Sequence, residues 1–183
     1  MRNTKMTLIL EFDPDKLKFI RYNAQEHTLP DLNFAQSNGD DPLDVQNYYY
    51  HIRTGKNLQN GLIYALRYEK EWIGFFSVGL TKVKQKNYLN ILRQGQNDDA
   101  TDVTEGLLID KIGIDQKYRC FGIGRYILQF CIGLTKAIRT NSQIRVMIFE
   151  TTDSLAAKIY HPKYGFNYLK KDKKIVWAYK AIS

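Results

Sequence analysis

The sequence predicts a mixed α/β fold: a sheet with a parallel or splayed centre, flanked by helices, and neither a bundle nor a barrel. Three observations point there. Strand-like and helix-like runs alternate along the chain, two pairs of strand-like runs are spaced as hairpins, and the apolar run "GLLIDKIGI" leads through the glycine turn "YRCFGIG" into a helix-periodic run. At 183 residues, with 44% hydrophobic and 25% charged side chains, the chain reads as one globular domain with a proper core.

Taken in order, residues 1–15 read as an N-terminal extension. "LKFIRY" (Leu17 to Tyr22) is a strand, followed by the polar stretch "NAQEHTLPDLNFAQSNGDD". That stretch ends in a helix-start signal, with Asp41 as cap, Pro42 at the first helical position and a helix through about Arg53. "LIYALRY" and "WIGFFSVGLTKV" form a hairpin about the turn "EKE". Residues 84–105 read as a loop able to cover a site, because a short apolar patch there gives way to a polar, turn-rich stretch. After the strand "GLLIDKIGI" and the glycine turn, Ile123, Ile127, Phe130, Cys131, Leu134 and Ile138 give a helix its core face. "IRVMIFE" is a buried strand, "TTDSLAAKIY" starts a helix that Pro162 should end, and the chain closes in a hairpin turning near Asp172 and Lys173.

Composition narrows the chemistry. The two cysteines, Cys120 and Cys131, and the three histidines show no metal-ligand spacing, so reduced thiols and no metal are expected. No run approaches the roughly 20 apolar residues of a membrane span. The early "TLIL" is too short, and too soon followed by acids, for a signal peptide, so the expectation is a soluble, cytoplasmic protein with no membrane partner. The net charge of +8 suits phosphates, on a small molecule or on nucleic acid, and equally a solvated lysine-rich face.

The glycine turn carries the sharpest signal. A strand running into such a turn and then a helix presents unpaired N–H groups and the positive end of the helix dipole at one point. Gly122 and Gly124 let the backbone approach phosphate oxygens, and Arg119 and Arg125 add charge. A plain tight turn is the competing reading. A Walker loop is excluded, since Arg125 and Tyr126 stand where it needs Lys and then Ser or Thr. A dinucleotide fold would use Glu150 as its ribose acid, but Ile127 replaces the third glycine and too little chain follows to finish the half-sheets.

"RCFGIG" resembles the signature of the GNAT superfamily of acyl-CoA-dependent N-acyltransferases: Arg or Gln, two residues, Gly, one residue, Gly or Ala. "LLIDKIGIDQKYR" before it is similar to that family's fourth strand. "DSLAAKIYHPKYGF" after it is similar to the family's N-x-x-A-x-x-x-Y…G-F segment, so the likeness runs from Glu105 to Leu169. It implies a GNAT-like, mostly antiparallel sheet with splayed parallel strands at its centre, residues 1–183 forming a single N-acetyltransferase domain, and acetyl-CoA as acyl donor. By this resemblance the N–H groups of Phe121, Gly122, Ile123, Gly124 and Arg125, led in by Arg119 and Cys120, would hold the diphosphate. Ile112, Gly113 and Ile114 would pair with the pantetheine arm, with an amide of Ile112 or Ile114 polarising the thioester carbonyl.

The same resemblance makes Tyr160 the acid that protonates the departing thiolate. "YHPKYGF" has four residues between that tyrosine and Gly165 where the family usually has three. Counting back from the glycine would select His161, with Tyr164 a distant third; a helix ending early at Pro162 would keep Tyr160 in place. For the general base the candidates are Glu105, Asp110 and Glu150. A weak base would favour an α-amine, of pKa about 7.7 to 8.0, over a lysine amine of about 10.4.

The acceptor expected first is a small-molecule or peptide amine. "NGDDPLDVQNYY" and the fourth-strand segment also resemble the toxin-type members that acetylate aminoacyl-tRNA: Gly39, Leu43 and Asp44 suit their first helix, while their Phe-Asp-Cys lead-in is missing. That makes tRNA the second acceptor. A noncatalytic CoA-binding or nucleic-acid-binding member of the fold is the third reading, and a homodimer is the assembly common among relatives.

Overall fold

The computed structural model describes residues 12–36, 38–56, 61–84, 103–139, 144–172 and 174–182. Its elements run β1 (Leu17–Arg21), α1 (Val45–Arg53), β2 (Leu62–Tyr68), β3 (Glu71–Lys84), β4 (Val103–Ile114), α2 (Ile123–Arg139) and β5 (Val146–Thr152). A composite helix α3 follows, built from the turns Asp153–Leu155, Ala156–Tyr160 and His161–Tyr164, and then β6 (Asn167–Asp172) and β7 (Ile175–Ala181). The seven strands form one sheet in the order β1-β2-β3-β4-β5-β7-β6, antiparallel throughout except for β4 and β5. This is the GNAT-like mixed sheet that the sequence predicts.

The period-2 alternation of the strands divides the apolar side chains between two faces. Leu66 and Phe76 join Ile123, Ile127 and Cys131 of α2 on one face. Ala65 and Phe75 join Val45, Tyr49 and Ile52 of α1 on the other. Leu29, Leu32 and Phe34 belong to that second cluster although they stand in a polar stretch with no strand or helix period. Among the described residues no helix is long and apolar enough to cross a membrane.

Three boundaries differ from the sequence reading. Helix α1 starts at Val45, not at Pro42, because Asp44 takes a left-handed conformation (φ 54°); the Asp41 carboxylate still caps the helix by accepting the N–H groups of Val45 and Gln46 at 2.9 and 2.7 Å. The 84–105 segment gives both its ends to the sheet, since β3 runs to Lys84 and β4 begins at Val103, while 85–102 lie outside the described residues. Pro162 does not end α3, for a reason given below. Of the 1–15 segment, Phe12 stacks on Tyr68 with ring centroids 4.7 Å apart, and Asp13 caps a 3₁₀ turn at Pro14–Lys16.

Candidate functional site

The two parallel strands part company. Pairing of β4 with β5 stops at Ile109 and Phe149, whereas β4 keeps its partner β3 as far as Ile114, and β5 keeps β7 as far as Thr152. Beyond Ile109 the inner edges of β4 and β5 therefore face each other across a gap. That gap is the floor of an open cleft of about 1300 Å³, which exceeds the roughly 300–1,000 Å³ usual for one small ligand and leaves room for two.

A β-bulge decides what β4 offers to the gap. Ser77 pairs with Lys111 and Val78 with Ile109, so Asp110 is the extra residue. Past the bulge, Asp115 donates its N–H to Ile73 O at 2.9 Å on the β3 side. Alternation then turns the backbone groups of Ile114 and Ile112 to the open edge, where Arg119 Nε donates to Ile114 O at 3.2 Å. Gly113 faces the other way: its carbonyl oxygen lies against Gly74, and a Cβ on Gly113 would stand 2.6 Å from the Phe75 ring and 2.9 Å from Phe34. Of the three pantetheine candidates, Ile112 and Ile114 reach the edge, and Gly113 serves the packing of Phe34 and Phe75.

The glycine turn closes one end of the cleft. Cys120 (φ 71°) and Gly122 (φ 74°) are both left-handed, which brings the chain round from the 3₁₀ turn Gln116–Tyr118 into α2. Geometry alone explains Gly122, since φ near +74° strains any residue with a Cβ. Gly124, the second residue of α2, has no such reason: its φ is not left-handed, and a Cβ there would meet nothing within 4 Å. The first turn of α2 also carries no acidic side chain. A bare, positively polarised helix start facing open space fits an anionic group such as a diphosphate.

Arg119 does more than add charge. Its NH1 and NH2 donate to Ala35 O at 2.8 Å and Phe34 O at 2.6 Å, tying the stretch before α1 to the end of β4. Asp115, 5% exposed, reinforces the tie by accepting the N–H groups of Asn33 and Lys117 at 2.9 and 3.0 Å. These two residues hold the wall opposite α3, and sequence reasoning missed Asp115 entirely. Its signal was an acid directly after a buried strand, which reads as an ordinary strand end. Cys120 is exposed beside the turn, Phe121 packs its ring near Phe12 at 6.0 Å, and Arg125 lines the cleft.

The other wall is α3. Its middle turn, Ala156–Tyr160, is a π-turn in which the N–H of His161 reaches back to Ala156 O, five residues away. The wide turn takes up the extra residue of "YHPKYGF" and also frees Pro162 from the need to donate, so the helix passes through the proline and ends at Gly165 (φ 67°). Tyr160 is thereby turned into the cleft, its ring 4.6 Å from Phe149 and 6.2 Å from Phe166. Burial pushes the Tyr160 phenol up to about 12, with the Tyr164 charge adding, so it keeps its proton at neutral pH. His161 turns away from the cleft, its Nδ1 2.7 Å from Phe166 O and its ring stacked on Tyr168.

The carboxylates separate in the same manner. Glu150 lines the gap, with Oε2 3.8 Å from Lys111 Nζ. Asp110 also lines it. Glu105 does not: it pairs with Lys82 near the start of β4, seven residues and so roughly 23 Å of strand from Ile112.

Comparison with solved structures bears on the fold. A bacterial toxin superposes with TM-score 0.66 at 15% identity, over 91% of this chain and 90% of its own. The AtaTR complex bound with acetyl-CoA gives 0.65 at 14% identity, over 92% and 95%. AtaT complexed with acetyl-methionyl-tRNA gives 0.62 at 10% identity, over 88% and 92%. At these identities the likeness is one of fold. No family model matches the chain, and no curated protein matches it.

Proposed function

We propose that the chain is an acetyl-CoA-dependent N-acetyltransferase whose acceptor is the α-amine of an aminoacyl-tRNA. The observation that carries the reading is convergence on one cleft: the Gly122–Gly124 helix start, the free edge at Ile112 and Ile114, and the protonated Tyr160 phenol. The helix start supplies N–H groups for a diphosphate, and the strand edge supplies hydrogen bonds to an amide-bearing arm. An edge N–H near the thioester carbonyl stabilises charge as it develops there, and Tyr160 gives its proton to the leaving sulfur. Bound acetyl-CoA supplies the activated acyl group; the other tasks fall to this chain.

Two things favour the tRNA acceptor. The solved structures similar to this one in fold include AtaT complexed with acetyl-methionyl-tRNA, and the net charge of +8 suits a polyanion. A small or peptide amine is the second reading, favoured by Asp40 and Asp41 on the cleft lip opposite α3, where carboxylates suit a free ammonium better than phosphates.

The test is calorimetry with acetyl-CoA, followed by transfer of labelled acetyl to an aminoacylated tRNA pool and, separately, to a peptide with a free α-amine. Binding with transfer to the tRNA pool is expected. Transfer to the peptide alone would move the acceptor to the second reading, and no binding of acetyl-CoA would sink the enzyme.

A further inference from the structure

Three charged side chains line the cleft where β4 and β5 part, and they are not equally provided for. Lys111 reaches across to Glu150 just beyond the last paired positions, two residues past Ile109 on one strand and one past Phe149 on the other. Both partners are mostly buried, their side chains 16% and 25% exposed, so the pair bridges the strands where backbone pairing has ceased. The charge of Glu150 is thus matched. Asp110 is half-buried in the same cleft and makes no ion pair with any described residue. A half-buried carboxylate without a cation is costly unless hydrogen bonds or a ligand compensate it.

A tyrosine hydroxyl lies beside Asp110. The Tyr48 phenol of α1 lies near both Ser77 and Asp110. Burial chiefly, and the Asp110 charge in addition, hold the Tyr48 phenol above its usual range, so it remains a donor. Ser77 Oγ accepts the N–H of Lys111 at 3.2 Å, which leaves its own proton to donate. The remaining charged groups of the cleft stand on other elements: Asp40 and Asp41 before α1, Arg119 before α2, Arg125 on α2, Asp153 and Lys163 on α3, and Lys174 before β7.

The bulge gives Asp110 its place. One extra residue in β4 turns the backbone of Ile112 to the open edge and sets a carboxylate two residues, roughly 7 Å, ahead of it. We infer that Asp110 receives the acceptor's ammonium group and removes its surplus proton, while Glu150 serves only to hold Lys111. The inference rests on the acetyltransferase reading and sharpens it: the acceptor is an amine that arrives partly protonated, as an α-amine does at pH 7. The step balances. An ammonium and acetyl-CoA give an amide, the CoA thiol and one proton; the C–N bond forms as the C–S bond breaks, Tyr160 protonates the sulfur and recovers a proton from the acylated nitrogen, and Asp110 passes the surplus proton to solvent.

The experiment measures acetyl-CoA affinity by calorimetry, and kcat/KM for the aminoacylated tRNA pool and the free-α-amine peptide from pH 6 to 9.5. Parent, Asp110→Asn, Asp110→Glu and Glu150→Gln are compared. Asp110→Asn is expected to bind acetyl-CoA like the parent, lose about 100-fold at pH 7, and regain most of that by pH 9.5, where the amine is already free. Asp110→Glu should restore part of the rate at pH 7, and peptide affinity at pH 6, read by calorimetry, should fall in Asp110→Asn. A deficit in Asp110→Asn that is the same at every pH, or an alkaline-rescued deficit in Glu150→Gln instead, overturns the inference and leaves the acetyltransferase standing. A parent that does not bind acetyl-CoA overturns both.

Discussion

Two irregular segments flank the gap between β4 and β5, and they work in opposite ways. The glycine turn before α2 offers backbone: Cys120 and Gly122 go left-handed, Gly124 is bare, and any anion held there meets N–H groups. The π-turn of α3 offers a side chain: one residue of slip decides whether Tyr160 or His161 looks into the cleft. A backbone site tolerates changes of side chain that leave its path open, whereas a side-chain site depends on helical register. Each can be broken without the other, and the variants that do so test the assignment.

The largest effect is expected on the side-chain wall. Tyr160→Phe removes only a hydroxyl from a packed ring, so fold and acetyl-CoA affinity should persist while kcat falls by about 10² to 10⁴. His161→Phe should leave kcat within about twofold, consistent with an imidazole turned away from the cleft, and cost about 1 kcal/mol of stability with the bond to Phe166 O. Steady-state kinetics on both variants settles the register. A kcat collapse in His161→Phe with an active Tyr160→Phe would mean that the helix winds the other way.

The backbone wall gives the next effect, and its two glycines should diverge. Gly124→Asp puts a carboxylate into open space at a helix start with no acid in its first turn, so stability should hold or rise by about 0.3–1 kcal/mol. On the proposed reading the same charge would face the diphosphate, and acetyl-CoA affinity should drop by about 100-fold, roughly 2.7 kcal/mol. Gly122→Ala should instead lose about 1–2 kcal/mol of stability, the cost of a Cβ at φ 74°. Thermal melts beside calorimetry separate the two. If Gly124→Asp bound acetyl-CoA like the parent, the glycine turn would be a turn and nothing more.

This contrast also explains what could be read from the sequence. The sheet was legible because strands announce themselves by composition and hairpins by spacing, and the glycine turn because only glycine fits both a left-handed bend and a close approach. Tyr160 was half-legible: the extra residue before Gly165 showed as a miscount, but an early stop at Pro162 and a π-turn absorb it equally well on paper. The wall opposite α3 was not legible. Leu29, Leu32 and Phe34 are buried without any period to reveal it, and Asp115 and Arg119 hold them through backbone partners more than 80 residues away in sequence for the longest bonds. The bulge at Asp110 was equally hidden, since an extra residue in a strand changes pairing and leaves composition alone.

The smallest expected effect separates the walls by titration. The bonding groups of the glycine turn are backbone N–H groups, which do not ionise, whereas the Tyr160 phenol has a folded pKa of about 12 against an ordinary value of 10.0, because burial disfavours the phenolate. The folded pKa lies above the unfolded one, so the stabilisation is fully present below pH 10 and is lost as pH rises towards 12. By pH 10.5 the unfolded chain gains about 1 kcal/mol from ionising this one group. Urea unfolding of the parent should therefore lose about 1 kcal/mol more than Tyr160→Phe between pH 8 and 10.5, while the buried Tyr49, Tyr118 and Cys131, all raised by burial, contribute equally to both. Parallel losses in parent and variant would mean that the Tyr160 hydroxyl already meets water in the folded chain, and its role as a proton donor at high pH would shrink accordingly. A difference of the expected size would place the proton on the phenol throughout the range in which the acceptor amine becomes free.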